Sequence, residues 1–112
     1  MEEEKSRLEQ FKEFVEMDPS DTFSRYALAM EYMAISDFES SVQHFQEVLR
    51  LDPEYSAAYF QAAIACRKLE KAGDARNFLL RGIEVAEKKR DWHARDEMKA
   101  ALADLLDTDE HG

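Results

Sequence analysis

Three histidines, one cysteine and 25 acidic residues are the side chains of this 112-residue chain with the means to do chemistry. His93, Asp96 and Glu97 stand three and four apart, so one helix would set an imidazole and two carboxylates on a single face, as a metal site requires. That spacing is common by chance in charged helices, and neither a metal nor another cofactor is expected. Cys66 fills a packing position in an apolar stripe and reads as a buried structural thiol, not a nucleophile. A lone cysteine also excludes an internal disulfide and any multi-cysteine finger, in keeping with a reducing compartment. His44 falls between the core positions of its helix and reads as a solvated residue. There is no Gly-rich phosphate loop, no nucleophile elbow and no His-Glu-x-x-His run. The chain is expected not to be an enzyme.

Composition points the same way. With 45% hydrophobic and 36% charged residues but only three Gly and two Pro, the chain suits a helical globular fold of a single domain, residues 1–112. The net charge of −10 argues against nucleic-acid binding, which depends on Lys and Arg neutralising phosphates. Residues 1–55 hold 14 acidic against 5 basic side chains, whereas residues 56–112 hold 11 against 10. A basic stretch from Arg67, Lys68 and Lys71 through Arg76 and Arg81 to Lys88 and Arg90 reads as a solvated helix face. No apolar run approaches the roughly 20 residues that span a bilayer, and the Met-Glu-Glu-Glu start lacks a secretory n-region. No membrane association is expected, and the expected location is cytoplasmic.

The elements that must position these residues follow from apolar spacing. Leu8, Phe11, Phe14 and Val15 predict one amphipathic helix from about Glu2 to Met17, with Glu2 to Glu4 favouring its N-terminus. Asp18-Pro19 stops it and is fit to start the next helix, with Asp as N-cap. Phe23, Tyr26, Leu28, Met30, Tyr32, Met33 and Ile35 cover more than one side of a second helix. Ser36-Asp37 breaks that pattern, and a third stripe runs from Phe38 to Leu51. After Asp52-Pro53 the cycle restarts: a helix from Tyr55 to Leu69, a turn at Gly73-Asp74, and a helix through Phe78, Leu79, Ile83 and Val85. Asp91 is the expected N-cap of a last helix on which Ala94, Met98, Ala101, Leu102 and Leu105 share a face. Residues 108–112 are expected to fray.

The two Asp-Pro steps stand 34 residues apart. That period, and the pattern W-x2-L-G-x2-Y, A-x3-F, P, resembles the tetratricopeptide repeat (TPR) family. In residues 22–55, Leu28, Ala29 and Tyr32 take the L, G and Y places, Phe45 the later aromatic place, and Pro53 closes. Arg25 stands in the Trp place and Ser41 in the Ala place. In residues 56–89, Tyr59 replaces Trp, Ala62 and Ala63 follow, Cys66 stands for Tyr, and Ala75 and Leu79 match A-x3-F. Glu87 stands where the closing proline would be, so that helix is expected to run on toward Lys89 and the array to end there. Ala29, Ala63 and Gly82 sit where paired helices approach closely. The resemblance implies an all-α fold, a right-handed α-α superhelix of stacked helix-turn-helix units with about six helices. Residues 1–21 would be an N-terminal half-repeat and 90–107 a capping helix.

In this family the first helix of each repeat lines a concave face that takes peptides or helices of partner proteins. The resemblance therefore implies a protein-protein interaction module. The expected groove comprises Phe23, Tyr26, Met30 and Met33 from one helix and Phe60, Gln61, Ile64, Arg67 and Lys68 from the other, apolar at one end and basic at the other. Members that grip a C-terminal carboxylate do so with Lys and Asn where Tyr26 and Met30 stand here, which disfavours such a clamp. The expected partner is an apolar or amphipathic segment with acidic residues near Arg67 and Lys68. The alternative is a self-associating subunit whose apolar face is buried in a homodimer, since large exposed apolar patches are rare on monomers.

Overall fold

The computed structural model of the protein describes the backbone of residues 5–111 and the side chains of residues 5–107. Among them are six helices and no strand: α1 (Arg7–Met17), α2 (Thr22–Ala34), α3 (Phe38–Leu51), α4 (Ser56–Lys68), α5 (Ala72–Lys88) and α6 (Trp92–His111). They form a right-handed α-α superhelix in which each helix packs mainly on the next, and α4 also meets α6. The stack is open. Its extents are 54 × 32 × 20 Å and its radius of gyration is 15.1 Å, against about 13 Å for a compact domain of this length.

Four helix starts follow side-chain capping chemistry, with two departures from the sequence reading, whereas α4 and α5 start after Tyr55 and Lys71 without a side-chain cap. α1 begins at Arg7 because the Ser6 hydroxyl accepts from the Glu9 amide at 3.1 Å; Glu2 to Glu4 lie outside the described residues. The Asp of each Asp-Pro step does not cap the helix that follows. Asp18 and Asp52 are C-caps, and their carboxylates accept from the amides of Ser20 and Glu54 at 3.2 and 3.0 Å. These are Asx turns, which a carboxylate next to the chain reversal closes more readily than a cap several residues away. Asp21 caps α2 instead, accepting from the Phe23 amide and the Ser24 hydroxyl. Asp37 caps α3, and Asp91 caps α6 by accepting from the Ala94 amide at 3.1 Å.

The turn expected at Gly73-Asp74 sits earlier. α4 ends at Lys68 and α5 already contains Gly73. The reversal is made by Glu70 at φ 59°, with the Lys71 amide donating to Cys66 O at 2.8 Å and the Glu70 amide to Arg67 O at 3.0 Å. Ser36 and Arg90 make the same left-handed termination after α2 and α5. Without a proline at position 87, α5 reaches Lys88, 17 residues against 14 in α3. α6 in turn continues to His111, where a frayed tail from residue 108 was expected, because no Gly or Pro lies between Trp92 and His111 to stop it.

The core runs through the middle of the stack. α4 lies among α3, α5 and α6, so Ala58, Ala62, Ala63 and Ala65 are all buried on its different sides. Phe45, Tyr59, Leu79 and Met98 are the largest fully buried side chains around it. Ser41, in the Ala place, is accommodated at 0% exposure because its hydroxyl donates to Phe38 O at 2.8 Å. The Trp place is served by unlike residues in a like manner: the Tyr59 hydroxyl donates to Pro53 O at 2.7 Å, and Arg25 Nη2 to Pro19 O at 3.4 Å. Each ties its helix back to the Asp-Pro step just before it.

Candidate functional site

Phe23, Tyr26, Met30 and Met33 lie on α2, and Phe60, Gln61, Ile64, Arg67 and Lys68 on α4. Their surroundings divide them. Phe23 is 66% exposed, whereas Tyr26, Met30, Met33 and Phe60 are partly buried against the core. Tyr26 is the most committed to internal packing: its ring lies 5.0 Å from that of Tyr55 and 5.7 Å from that of Phe45. Burial, and then the neighbouring Tyr55, push its hydroxyl pKa up. Tyr26 therefore offers one edge, not a free ring.

On α4 the residues separate into two hollows. Ile64, Arg67 and Lys68 border a shallow one, in which Arg67 Nη1 donates to Asp104 Oδ2 of α6 at 2.9 Å. Lys68 stays exposed. Phe60 and Gln61 border a second, smaller cavity of about 270 Å³ whose other wall is α6, with Asp91, His93, Ala94, Glu97 and Met98. Sequence reasoning treated α6 only as a cap and missed these. The signal was present: α6 follows α4 in the alternation that puts α2 and α4 on one face.

The remaining reactive groups are engaged. Cys66 is free and buried, and desolvation pushes its thiol pKa up, away from the thiolate. His93 Nε2 pairs with Glu97 Oε1 at 2.6 Å, but Asp96 turns to Arg95 at 2.9 Å. Among the described residues no three His, Cys, Asp or Glu side chains gather as metal ligands. His44 is not the solvated residue its helical position suggested. Its ring stacks on Tyr32 at 5.2 Å and 6°, with Nδ1 3.3 Å from Arg25 Nη1. Burial first, then the cations of Arg25 and Lys12, lower its pKa, while Glu47 opposes them. These contacts come from α1 and α2, which the α3 stripe alone does not reveal. No described helix is long and apolar enough to cross a membrane.

Residues 24–55 match the family model of the tetratricopeptide repeat. A tetratricopeptide repeat domain protein of Salinibacter ruber is 30% identical, with a TM-score of 0.73 over 79% of this chain and 89% of that one. The type III secretion translocator chaperone SycD of Yersinia enterocolitica superposes with a TM-score of 0.86 at 14% identity, over 92% of this chain and 72% of that one. The TPR2B domain of yeast Sti1, in a complex with pHsp70, gives 0.85 at 14% identity, over 90% and 81%. No curated protein matches the sequence. The identity and coverage shared with the Salinibacter domain, on a common stack of helical hairpins, place the chain in the tetratricopeptide repeat family.

Proposed function

We propose that this protein holds a peptide or helical segment of a partner protein along the face made by α2, α4 and α6, and that it acts as an adaptor without catalysis. The observation that carries this reading is the run of incompletely buried apolar side chains on that face, Phe23, Met30, Met33, Phe60 and Ile64, which ends in the cavity between α4 and α6. Residues 22–55 and 56–89 are the two repeats in this reading, with 1–21 and 90–107 flanking them. Similar folds with partners, such as the Sti1 domain with pHsp70, support it. A carboxylate clamp is not part of it, since Tyr26 and Met30 supply no cation and no amide there.

Affinity capture from the native cell extract, followed by NMR titration of the captured segment, tests the reading. Shifts should centre on α2, α4 and α6, and Met30→Glu or Phe60→Glu should abolish capture. Shifts confined to α1, α3 and α5 would refute it. The rival reading, a homodimer that buries this face, draws on the exposure of Phe23. It requires light scattering to report twice the monomer mass, falling to one with Met30→Glu.

A further inference from the structure

We infer that the cavity between α4 and α6 is a slot for an arginine side chain of the partner segment, an inference that rests on the interaction surface proposed above. At about 270 Å³ it is smaller than the usual small-molecule site of about 300 to 1,000 Å³ and suits one long side chain. Phe60 and Met98 give it an apolar lining for methylene groups.

The polar groups around it include acceptors, beside Gln61 and His93, which can also donate. Asp91 and Glu97 bring two carboxylates, and neither is exhausted by its internal bond, Asp91 to the Ala94 amide and Glu97 to His93. The Ser56 hydroxyl borders the same cavity at 8% exposure and has no hydrogen-bond partner among the described residues. A buried hydroxyl in that state has a hydrogen bond still to make, and it can accept as well as donate. The planar guanidinium, with five N–H groups in a fixed fork, serves several acceptors at once, which an ammonium does less well. The sequence led to a groove apolar at one end and basic at the other, the basic end seeking acids. The fold alters that balance, because Arg67 is tied to Asp104 and α6 adds Asp91 and Glu97 to the same face.

The probe is N-acetyl-arginine N-methylamide, titrated into the full chain and followed by amide NMR shifts, with the norleucine and glutamate analogues as controls. The arginine probe should give saturable shifts at Ser56, Ala57, Ala94 and Glu97, and the glutamate analogue none. Glu97→Gln, a change at an exposed side chain, should weaken the arginine probe roughly fivefold, the scale of one partly exposed ion pair. Equal response to norleucine, no saturation, or an unchanged affinity in Glu97→Gln overturns the slot. Panning a random peptide library on the same chain separates this result from the wider reading. Selected peptides that need Met30 and Phe60 but lack arginine overturn the slot alone. A library yielding no peptide that depends on those residues overturns the interaction surface, while the arginine titration still decides the slot.

Discussion

A β-carbon at Gly82 would stand 2.7 Å from Tyr59 Cβ and closer still to Met98 Sδ. The thioether can swing aside, but Tyr59 Cβ is fixed to its backbone, so α4 and α5 would have to part. Alanine in an unconstrained helix gains about 1 kcal/mol over glycine, whereas overpacking costs about 1 to 3 kcal/mol. Gly82→Ala should therefore lower the urea midpoint, with a net loss of up to about 2 kcal/mol, and Gly82→Leu should lose more. Gly73, with nothing within 4 Å of its would-be Cβ, is the control: Gly73→Ala should raise the midpoint, for a gain in stability of roughly 0.5 to 1 kcal/mol. Midpoints moving the same way in both would refute the close approach. That approach was legible from the family resemblance, which puts a small residue at Gly82, although Val48 stands 34 residues before it. The setting of His44 was not, since Tyr32, Arg25 and Lys12 reach it from other helices. Its folded pKa lies below the unfolded value, so the unfolded chain binds more protons as the pH falls through that window. The stability held above about pH 6.5 is thus lost on acidification. Denaturant midpoints should decline from pH 7.5 to 5.5, with a shallower slope in His44→Gln; equal slopes would count against a buried neutral imidazole.

At the scale of elements, the turns decide where each hairpin folds back, and here sequence reasoning went wrong in an instructive way. Gly73-Asp74 looked like the breaker because glycine usually supplies the left-handed residue after a helix. The chain instead places Ser36, Glu70 and Arg90 there, at φ 61°, 59° and 58°. Ser36 and Glu70 are 34 residues apart, so the period is set by termination geometry that leaves no glycine to read. The hydrogen bonds from Asp37 to Tyr32 O, Lys71 to Cys66 O and Asp91 to Ala86 O are strong enough to hold side-chain-bearing residues in that region. Such a residue costs about 1 to 2 kcal/mol relative to glycine, partly offset by the greater freedom of glycine in the unfolded chain. Glu70 is exposed, and replacing it removes no buried contact. Glu70→Gly should stabilise the protein by about 0.5 to 1 kcal/mol, read as a higher melting temperature, and Glu70→Val should destabilise it. A glycine variant that melts lower would show that the turn is not strained.

Over the whole molecule, neighbour-to-neighbour packing makes stability a property that varies along the stack. A repeat array behaves as a chain of units coupled mainly to the next. α4 is enclosed by α3, α5 and α6, while α1 packs chiefly on α2 and buries a single side chain, Val15. The ion pair between Arg7 and Glu31 and the position of Lys12 over the Tyr32 ring fasten α1 to α2 at its surface, but with Arg7 largely in solvent such a pair contributes little. The open end is visible in Phe14 and Met17, 48% and 81% exposed. The sequence carried this much: a helix with one apolar stripe has one partner, whereas the dense, alanine-rich α4 needs several. Opening of α1 should then precede opening of the rest, and the two should respond to different substitutions. Val15→Ala removes the one buried anchor and should lower the free energy of α1 opening by about 1.5 kcal/mol, a roughly tenfold faster amide exchange confined to α1. Ala63→Leu, at the α4 centre, should instead accelerate exchange in α3, α4 and α5 together. Native-state hydrogen exchange distinguishes the cases. If Val15→Ala speeds exchange in α4 as much as in α1, the stack opens as one unit, and the coupling between the acidic N-terminal helix and the face of α2, α4 and α6 is far tighter than its packing implies.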